Sequence, residues 1–186
     1  MPLRVIAGTA KGRRLKSVPG DTTRPVTDMV KEALFDILGA DVAESDWWDL
    51  FGGTGAIGIE ALSRGARFVR FTELNRSAVE TIRQNVASCG FTESAEIQRG
   101  DAFTLLGAEK QRQFDFIYIA PPQYKELWSR ALAILDQHTH LLNDGALVIA
   151  QIHPREFHEL LLKNLIKYEE RKYGSTMLVF YEKASS

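Results

Sequence analysis

The chain has 186 residues, which at about 150 residues per domain is one domain, long enough to bury roughly 70% of its unfolded surface without disulfide or metal staples. Apolar residues make up 45% and charged residues 25%, which excludes a disordered or fibrous chain, and the lone cysteine, Cys89, excludes an internal disulfide and points to a reducing, cytoplasmic setting. Net charge is −1, yet residues 1–31 hold seven basic groups against two acids while the remainder is acidic on balance, so the chain reads as a basic end on an acidic body, suited to an anionic partner such as nucleic acid or else a plain solvated tail.

The N-terminus, Met1-Pro2-Leu3-Arg4-Val5, has no long apolar core, and no apolar run approaches the length of a bilayer span, so neither a secreted nor a membrane protein is expected. Leu3–Ala7 and Arg13–Val18 are short runs of β formers around Gly8-Thr9-Ala10-Lys11-Gly12, which predicts a β-hairpin with a basic tip. Val30, Ala33, Leu34, Ile37 and Leu38 repeat at helical spacing, with Thr27 as N-cap and Gly39 as the residue that ends the helix. From Trp47 onward strands and helices alternate. Strands are expected at Trp47–Phe51, Phe68–Thr72, Ala95–Arg99, Phe114–Ile119 and Ala146–Ala150. Helices are expected at Ala56–Arg64, around Val79, Ile82 and Val86, around Leu127, Ala131, Ile134 and Leu135, and at Arg155–Leu165. Such alternation demands a parallel sheet covered on both faces. The last two strands, Lys167–Lys172 and Thr176–Tyr181, are joined by Tyr173-Gly174-Ser175, too short for a crossover, so that pair must be antiparallel.

Candidate site residues fall at the ends of these strands. Asp49-Leu50-Phe51-Gly52-Gly53-Thr54-Gly55 sits where the first sheet strand gives way to its helix, and glycines there allow backbone amides to approach a ligand at the switch point. The bland alternative is a tight turn. Glu73, followed by Leu74, ends the second strand where a carboxylate would meet ribose hydroxyls; Asp101, followed by Ala102, ends the third, placed to accept from an adenine amine. Each acid alone could be a helix N-cap or a surface charge. In a doubly wound sheet all three converge with the glycines on one crevice. Gly53 to Gly58 also matches the dinucleotide pattern G-x-G-x-x-G, but Asp49 would repel a pyrophosphate and attract the amino end of S-adenosylmethionine.

The fourth strand runs into Ala120-Pro121-Pro122-Gln123-Tyr124. Adjacent prolines fix the backbone and leave rigid carbonyl acceptors, suited to capture an exocyclic amino group for in-line methyl transfer. Tyr124 could stack on a flipped base or simply pack. The histidines and Cys89 make no metal constellation, and Trp47, Trp48 and Trp128 read as packing.

With Arg4-Val5-Ile6-Ala7-Gly8, Lys11-Gly12-Arg13-Arg14-Leu15, Thr23-Arg24-Pro25-Val26-Thr27-Asp28, Lys31-Glu32-Ala33-Leu34-Phe35 and the Asp49–Gly55 loop, the sequence resembles the RsmD-type bacterial methyltransferases over nearly its whole length. That resemblance implies a Rossmann-like class I S-adenosylmethionine-dependent fold and transfer of a methyl group to the exocyclic N2 of a guanine in 16S ribosomal RNA. It places Asp49, Phe51 and the glycines near the methionine part of the cofactor, Glu73 and Leu74 at the ribose, and Asp101 and Ala102 at the adenine. It makes residues 1–26 a basic RNA-contact extension and 27–186 the methyltransferase domain, with Arg4, Lys11, Arg13, Arg14, Arg24 and Lys31 gripping RNA phosphates. The expected partner is the ribosomal RNA or the assembling 30S subunit, with no metal, no membrane and a monomer as the default. The chain departs from the family at Ala120, where the family has Asp or Asn before the prolines, and its aromatic comes one place later, at Tyr124. Three outcomes stay open: Gln123 substitutes, the Pro121 carbonyl suffices, or the protein binds RNA with altered or little chemistry. A nicotinamide oxidoreductase remains as a distant alternative.

Overall fold

The structure, a computed structural model, describes residues 2–20 and 25–185. Its elements in chain order are α1 (Asp28–Leu38), β1 (Asp46–Asp49), α2 (Ala56–Ser63), β2 (Phe68–Glu73), α3 (Arg76–Ser88), β3 (Ala95–Arg99), α4 (Ala102–Ala108), β4 (Phe114–Ile119), α5 (Leu127–Asp136), β5 (Leu142–Ile152), β6 (Leu165–Tyr173) and β7 (Thr176–Lys183). They build one seven-stranded sheet in the order β3-β2-β1-β4-β5-β7-β6. β3, β2, β1, β4 and β5 run parallel, and β7 inserts antiparallel between β5 and β6. Strand order reverses between β1 and β4, the place where a doubly wound sheet opens a crevice at its carboxyl ends.

The pleat assigns the core. Trp47 and Trp48 are adjacent in β1 and both fully buried, one packing with Phe35 of α1 and Phe116, the other with Phe114 on the opposite face. α1, α2, α3 and the N-terminal segment cover the Trp47 face; α4 and α5 cover the Trp48 face. Thr27 caps α1, its Oγ1 accepting from the Val30 amide at 3.3 Å, as expected.

The structure departs from the sequence reading in four places. The N-terminal runs pair as a hairpin, but through a single antiparallel bridge, Arg4 with Arg14, rather than as full strands. Beyond the bridge the amides turn elsewhere: Ile6 and Ala7 donate to the Glu60 carboxylate at 2.9 and 3.1 Å, and Ala10 to Ser63 Oγ at 2.9 Å. Second, Ala102–Ala108 is a helix where none was expected, capped by Asp101. Third, the helix expected at Arg155–Leu165 is a short 3₁₀ turn, Pro154–Glu156, followed by irregular chain into β6. The buried Asp136 carboxylate at the end of α5 accepts from the amides of Lys163, Asn164 and Leu165 at 2.7–2.9 Å, so these donors find a partner without a helix. Fourth, β5, β6 and β7 are longer than the apolar runs suggested, and β1 ends at Asp49 rather than Phe51, which leaves Leu50 and Phe51 to the loop.

Glu60 organises the N-terminal half. It is fully buried in a helix whose every residue is buried, and its carboxylate takes the two hairpin amides, Lys31 Nζ of α1 at 3.4 Å and Arg64 Nε at 2.8 Å. Lys31 Nζ also donates to the Arg4 carbonyl. Gly8 completes the seam, since a Cβ there would stand 1.8 Å from the Ser63 carbonyl oxygen. Lys31 is 0% exposed, so the expectation that it grips RNA phosphate is corrected: its ammonium is committed to the interior, where burial lowers its pKa against the opposing pull of Glu60. Removing one partner of such a pair strands the other charge. Glu60→Leu is expected to lower stability by about 3–5 kcal/mol, measured by urea unfolding, with Lys31→Met added in the same chain recovering part of the loss.

Candidate active site

At the carboxyl end of β1, Asp49 is 3% exposed and followed by the glycine loop. Gly53 and Gly55 have φ of 58° and 84°, the left-handed region that lets the loop double back. The Gly52 amide donates to the Thr72 carbonyl at 2.8 Å, tying the loop to the end of β2, and the Gly55 amide donates to the Gly52 carbonyl at 2.8 Å. Thr54 Oγ1 accepts from the Ala56 amide at 3.3 Å as α2 begins. Phe51 is half-buried and meets Phe103 edge-on at 5.9 Å.

Glu73 ends β2 and braces the same loop, Oε1 accepting from the Gly53 amide at 3.3 Å and Oε2 from the Asn75 amide at 2.7 Å. Leu74 beside it is 66% exposed, an apolar side chain held open at the rim. Asp101 is exposed and takes the role of N-cap of α4, accepting from the Phe103 amide at 3.4 Å and from Thr104 Oγ1 at 2.9 Å, while Ala102 is buried behind it. The Asp49, Glu73 and Asp101 carboxylates thus stand at the ends of three successive parallel strands, around one glycine loop.

Burial pushes the Asp49 carboxyl up to about 7, helped by the negative charge of Glu73 and opposed by a hydrogen bond from the Gly58 backbone. A cation placed against it favours the ionised form, so binding an ammonium group there expels a proton wherever the free carboxyl is still protonated. Tyr118 of β4 is fully buried with its pKa well above the usual phenol range, through burial first and Asp49 second, and its hydroxyl donates to Gln151 Oε1 on β5. Ile119 pairs with Ala150, so Gln151 is the β5 residue beside Ala120.

The Ala120–Tyr124 loop leaves the end of β4 on the same side as Asp49. Ala120 and Pro121 are half-buried; Pro122, Gln123 and Tyr124 are exposed. Tyr124 has φ of 64° and Glu126 of 55°, positive values that non-glycine residues hold only where neighbours enforce them. The neighbour here is Glu156 of the 3₁₀ turn: its Oε1 accepts from the Tyr124 amide at 2.7 Å and its Oε2 from the His153 amide at 3.0 Å. The Tyr124 ring lies 5.8 Å from the His153 ring. His153 and Glu156 escaped the sequence reading, although His153-Pro154-Arg155-Glu156 carries the spacing of a capping box. Asn85 escaped it too. Almost wholly buried in α3, it donates to the Thr54 carbonyl at 2.9 Å and pairs with both the amide and the carbonyl of Lys16, so one side chain joins the glycine loop to the N-terminal segment.

Of the residues expected to meet RNA, Arg4, Lys11, Arg13 and Arg14 are exposed, Arg4 bonding Asp28 at 3.1 Å. Arg24 lies outside the described residues.

This sheet order, with its glycine loop and acidic strand ends, is that of the class I S-adenosylmethionine-dependent methyltransferases. A family described as "Conserved hypothetical protein 95" matches residues 3–182. "Putative rRNA methyltransferase YlbH" of Bacillus subtilis is 35% identical over 183 residues, 97% of this chain and 99% of its own length. "Ribosomal RNA small subunit methyltransferase D" of Haemophilus influenzae is 32% identical over 141 residues, 75% of this chain and 73% of its own. The solved structure "Putative methyltransferase yhhF from Escherichia coli" superposes with a TM-score of 0.85 at 27% identity, covering 100% of both chains. The chain belongs to this family, the RsmD-type methyltransferases. The nicotinamide alternative falls with that assignment.

Titration calorimetry of S-adenosylmethionine should show affinity rising as pH goes from 6 to 8, by at most about tenfold per unit below the Asp49 pKa, with protons released to buffer at pH 6. Asp49→Asn should weaken binding and remove both effects.

Proposed function

We propose that the protein transfers a methyl group from S-adenosylmethionine to the exocyclic N2 of a guanine in small-subunit (16S) ribosomal RNA, in the bacterial cytoplasm. The observation that carries the reading is the meeting of Asp49, Glu73, Asp101 and the Ala120–Tyr124 loop at the carboxyl ends of β1, β2, β3 and β4. The family relatives named for ribosomal RNA methylation support the substrate class.

Asp49 would pair with the amino group of the methionine moiety, the glycine loop would approach its carboxylate through amides not already spent on Thr72, Glu73 and Gly52, Glu73 would accept from the ribose hydroxyls beside Leu74, and Asp101 with Ala102 would border the adenine. The guanine amino group would be held by carbonyls of Ala120 and Pro121, with Pro122 and Gln123 shaping the loop and Tyr124 stacked on the base. The nitrogen lone pair attacks the methyl carbon, the S–CH₃ electron pair returns to sulfur to leave S-adenosylhomocysteine, and the nitrogen sheds a proton to water. The N-terminal segment 1–26 would supply the RNA contact through Arg4, Lys11, Arg13, Arg14 and Arg24, a non-specific grip on phosphates that fixes register.

Ala120 favours one second reading. Without a side-chain acceptor at that place, the chain could keep cofactor and RNA while reacting slowly, since losing one positioned polar group costs roughly a hundredfold or more. Gln123 is exposed and free to turn in, whereas the Gln151 carbonyl oxygen is engaged by Tyr118. Tritium transfer from labelled S-adenosylmethionine to small-subunit particles lacking the modification decides the matter. Label on guanine N2 is expected with the wild-type chain, and a faster rate with Ala120→Asp. Label with Ala120→Asp alone would support the second reading, and label with neither would overturn the proposed substrate.

A further inference from the structure

Among the described residues, several arginines of the acidic body are neutralised: Arg64 by Glu60, Arg67 by Asp46, Arg70 by Glu96 and Glu109, and Arg171 by Glu169. Arg112 and Arg130 lie over the rings of Phe68 and Phe103. Arg76, Arg83 and Arg99 differ. All three are exposed, and, like Arg155 elsewhere on the surface, none has a carboxylate partner among the described residues.

They also lie together. Arg76 and Arg83 are two helical turns apart on α3, about 10 Å along its axis. Arg99 ends β3, the edge strand of the sheet, its Nε 3.5 Å from the Leu74 carbonyl. The three line one surface cavity of about 800 Å³, and Arg83 opens into a second of about 310 Å³ that continues it between α3 and β3. The one acid in the larger cavity, Glu80, accepts from Gln84 Nε2 at 3.4 Å, along the helix. Gln84 in turn accepts from Lys16 Nζ of the N-terminal segment at 3.0 Å. Lys16 thus reaches the flank of α3 at Gln84, one residue from Arg83, and Arg83, Arg76 and Arg99 line the groove that ends at the carboxyl end of β3 beside the crevice.

We propose that this groove is a second phosphate-binding surface, which takes the backbone of the RNA strand gripped by the N-terminal segment and leads it along α3 to the crevice. The proposal rests on the RNA reading above and extends it to residues outside the N-terminal segment. The roughly 10 Å between Arg76 and Arg83 along α3 exceeds the spacing of neighbouring charges along a nucleic-acid strand, so each arginine meets a different phosphate. Such contacts carry register and affinity but no sequence information, which suits exposed guanidiniums with no base-reading partner around them.

The test is fluorescence-anisotropy titration of a labelled, protein-free small-subunit rRNA fragment over a salt series. Wild type is compared with Arg76→Glu/Arg83→Glu, with the neutral single variant Arg83→Gln, and with Arg13→Glu/Arg14→Glu as a reference; thermal melts check folding. The groove double variant should lose about tenfold or more in affinity, and its slope of log K against log salt should fall by about 2. Arg83→Gln should lose less, with a slope lower by about 1, and keeps the test valid if charge reversal disturbs the fold. Unchanged affinity and slope in both groove variants, with both lost in the reference, would overturn the groove and leave the RNA reading standing. A wild-type chain that binds no RNA would overturn both. Normal binding of naked RNA with loss only on intact subunit particles would assign the groove to a protein contact and overturn the proposal.

Discussion

The N-terminal half of the structure depends on a carboxylate kept out of water. Glu60 sits in α2, where every neighbour along the helix is buried, and an unpaired charge there would be untenable. It persists because four donors from three places converge on it: the Ile6 and Ala7 amides, the Lys31 ammonium and the Arg64 guanidinium. Each of these is thereby fixed. The hairpin cannot lift from α2 without leaving the carboxylate short of donors, and α1 cannot slide without pulling Lys31 away.

The same helix carries the site at its other end. α2 begins at the glycine loop and ends under the hairpin, so the two face each other across two turns of rigid helix. Asn85 closes the circuit on the far side by holding the Thr54 carbonyl and the Lys16 main chain together. The segment with the exposed cations and the loop at the crevice therefore belong to one bonded framework. On the opposite wall Glu156 does comparable work for the Ala120–Tyr124 loop, whose left-handed Tyr124 needs an outside anchor.

Much of this was legible in the sequence, and the reasons are local. Buried parallel strands leave apolar runs, which marked β2 and β4, while β3 at the sheet edge is legible only as a short strand between two turns, and the short Gly174-Ser175 link forced the antiparallel close. Asp49, Glu73 and the glycines were legible because strand ends and glycines are marked in the chain itself. What escaped depends on partners distant in sequence. Lys31 looked like a surface cation because its partner lies 29 residues on, although a lone Glu60 amid AIGIEALS was itself a sign that some cation must come inside. The helix expected after Pro154 lost to Asp136, a carboxylate 27 to 29 residues away that satisfies the amides in extended form. α4 is seven residues long with a glycine in it, too short for periodicity to register.

The seam between the hairpin and α2 also bears on the order in which the molecule comes together during synthesis. Residues 3–16 leave the ribosome well before their anchors Glu60, Ser63 and Asn85, which follow 53 to 69 residues later. Until α2 and α3 are made, Leu3, Val5 and Leu15 have little beyond α1 of their core cluster to pack against, and the basic segment lacks its Glu60, Ser63 and Asn85 anchors. A segment made before its anchors thus waits for them to take its place, and loop closures of that length fall on the slow side of folding.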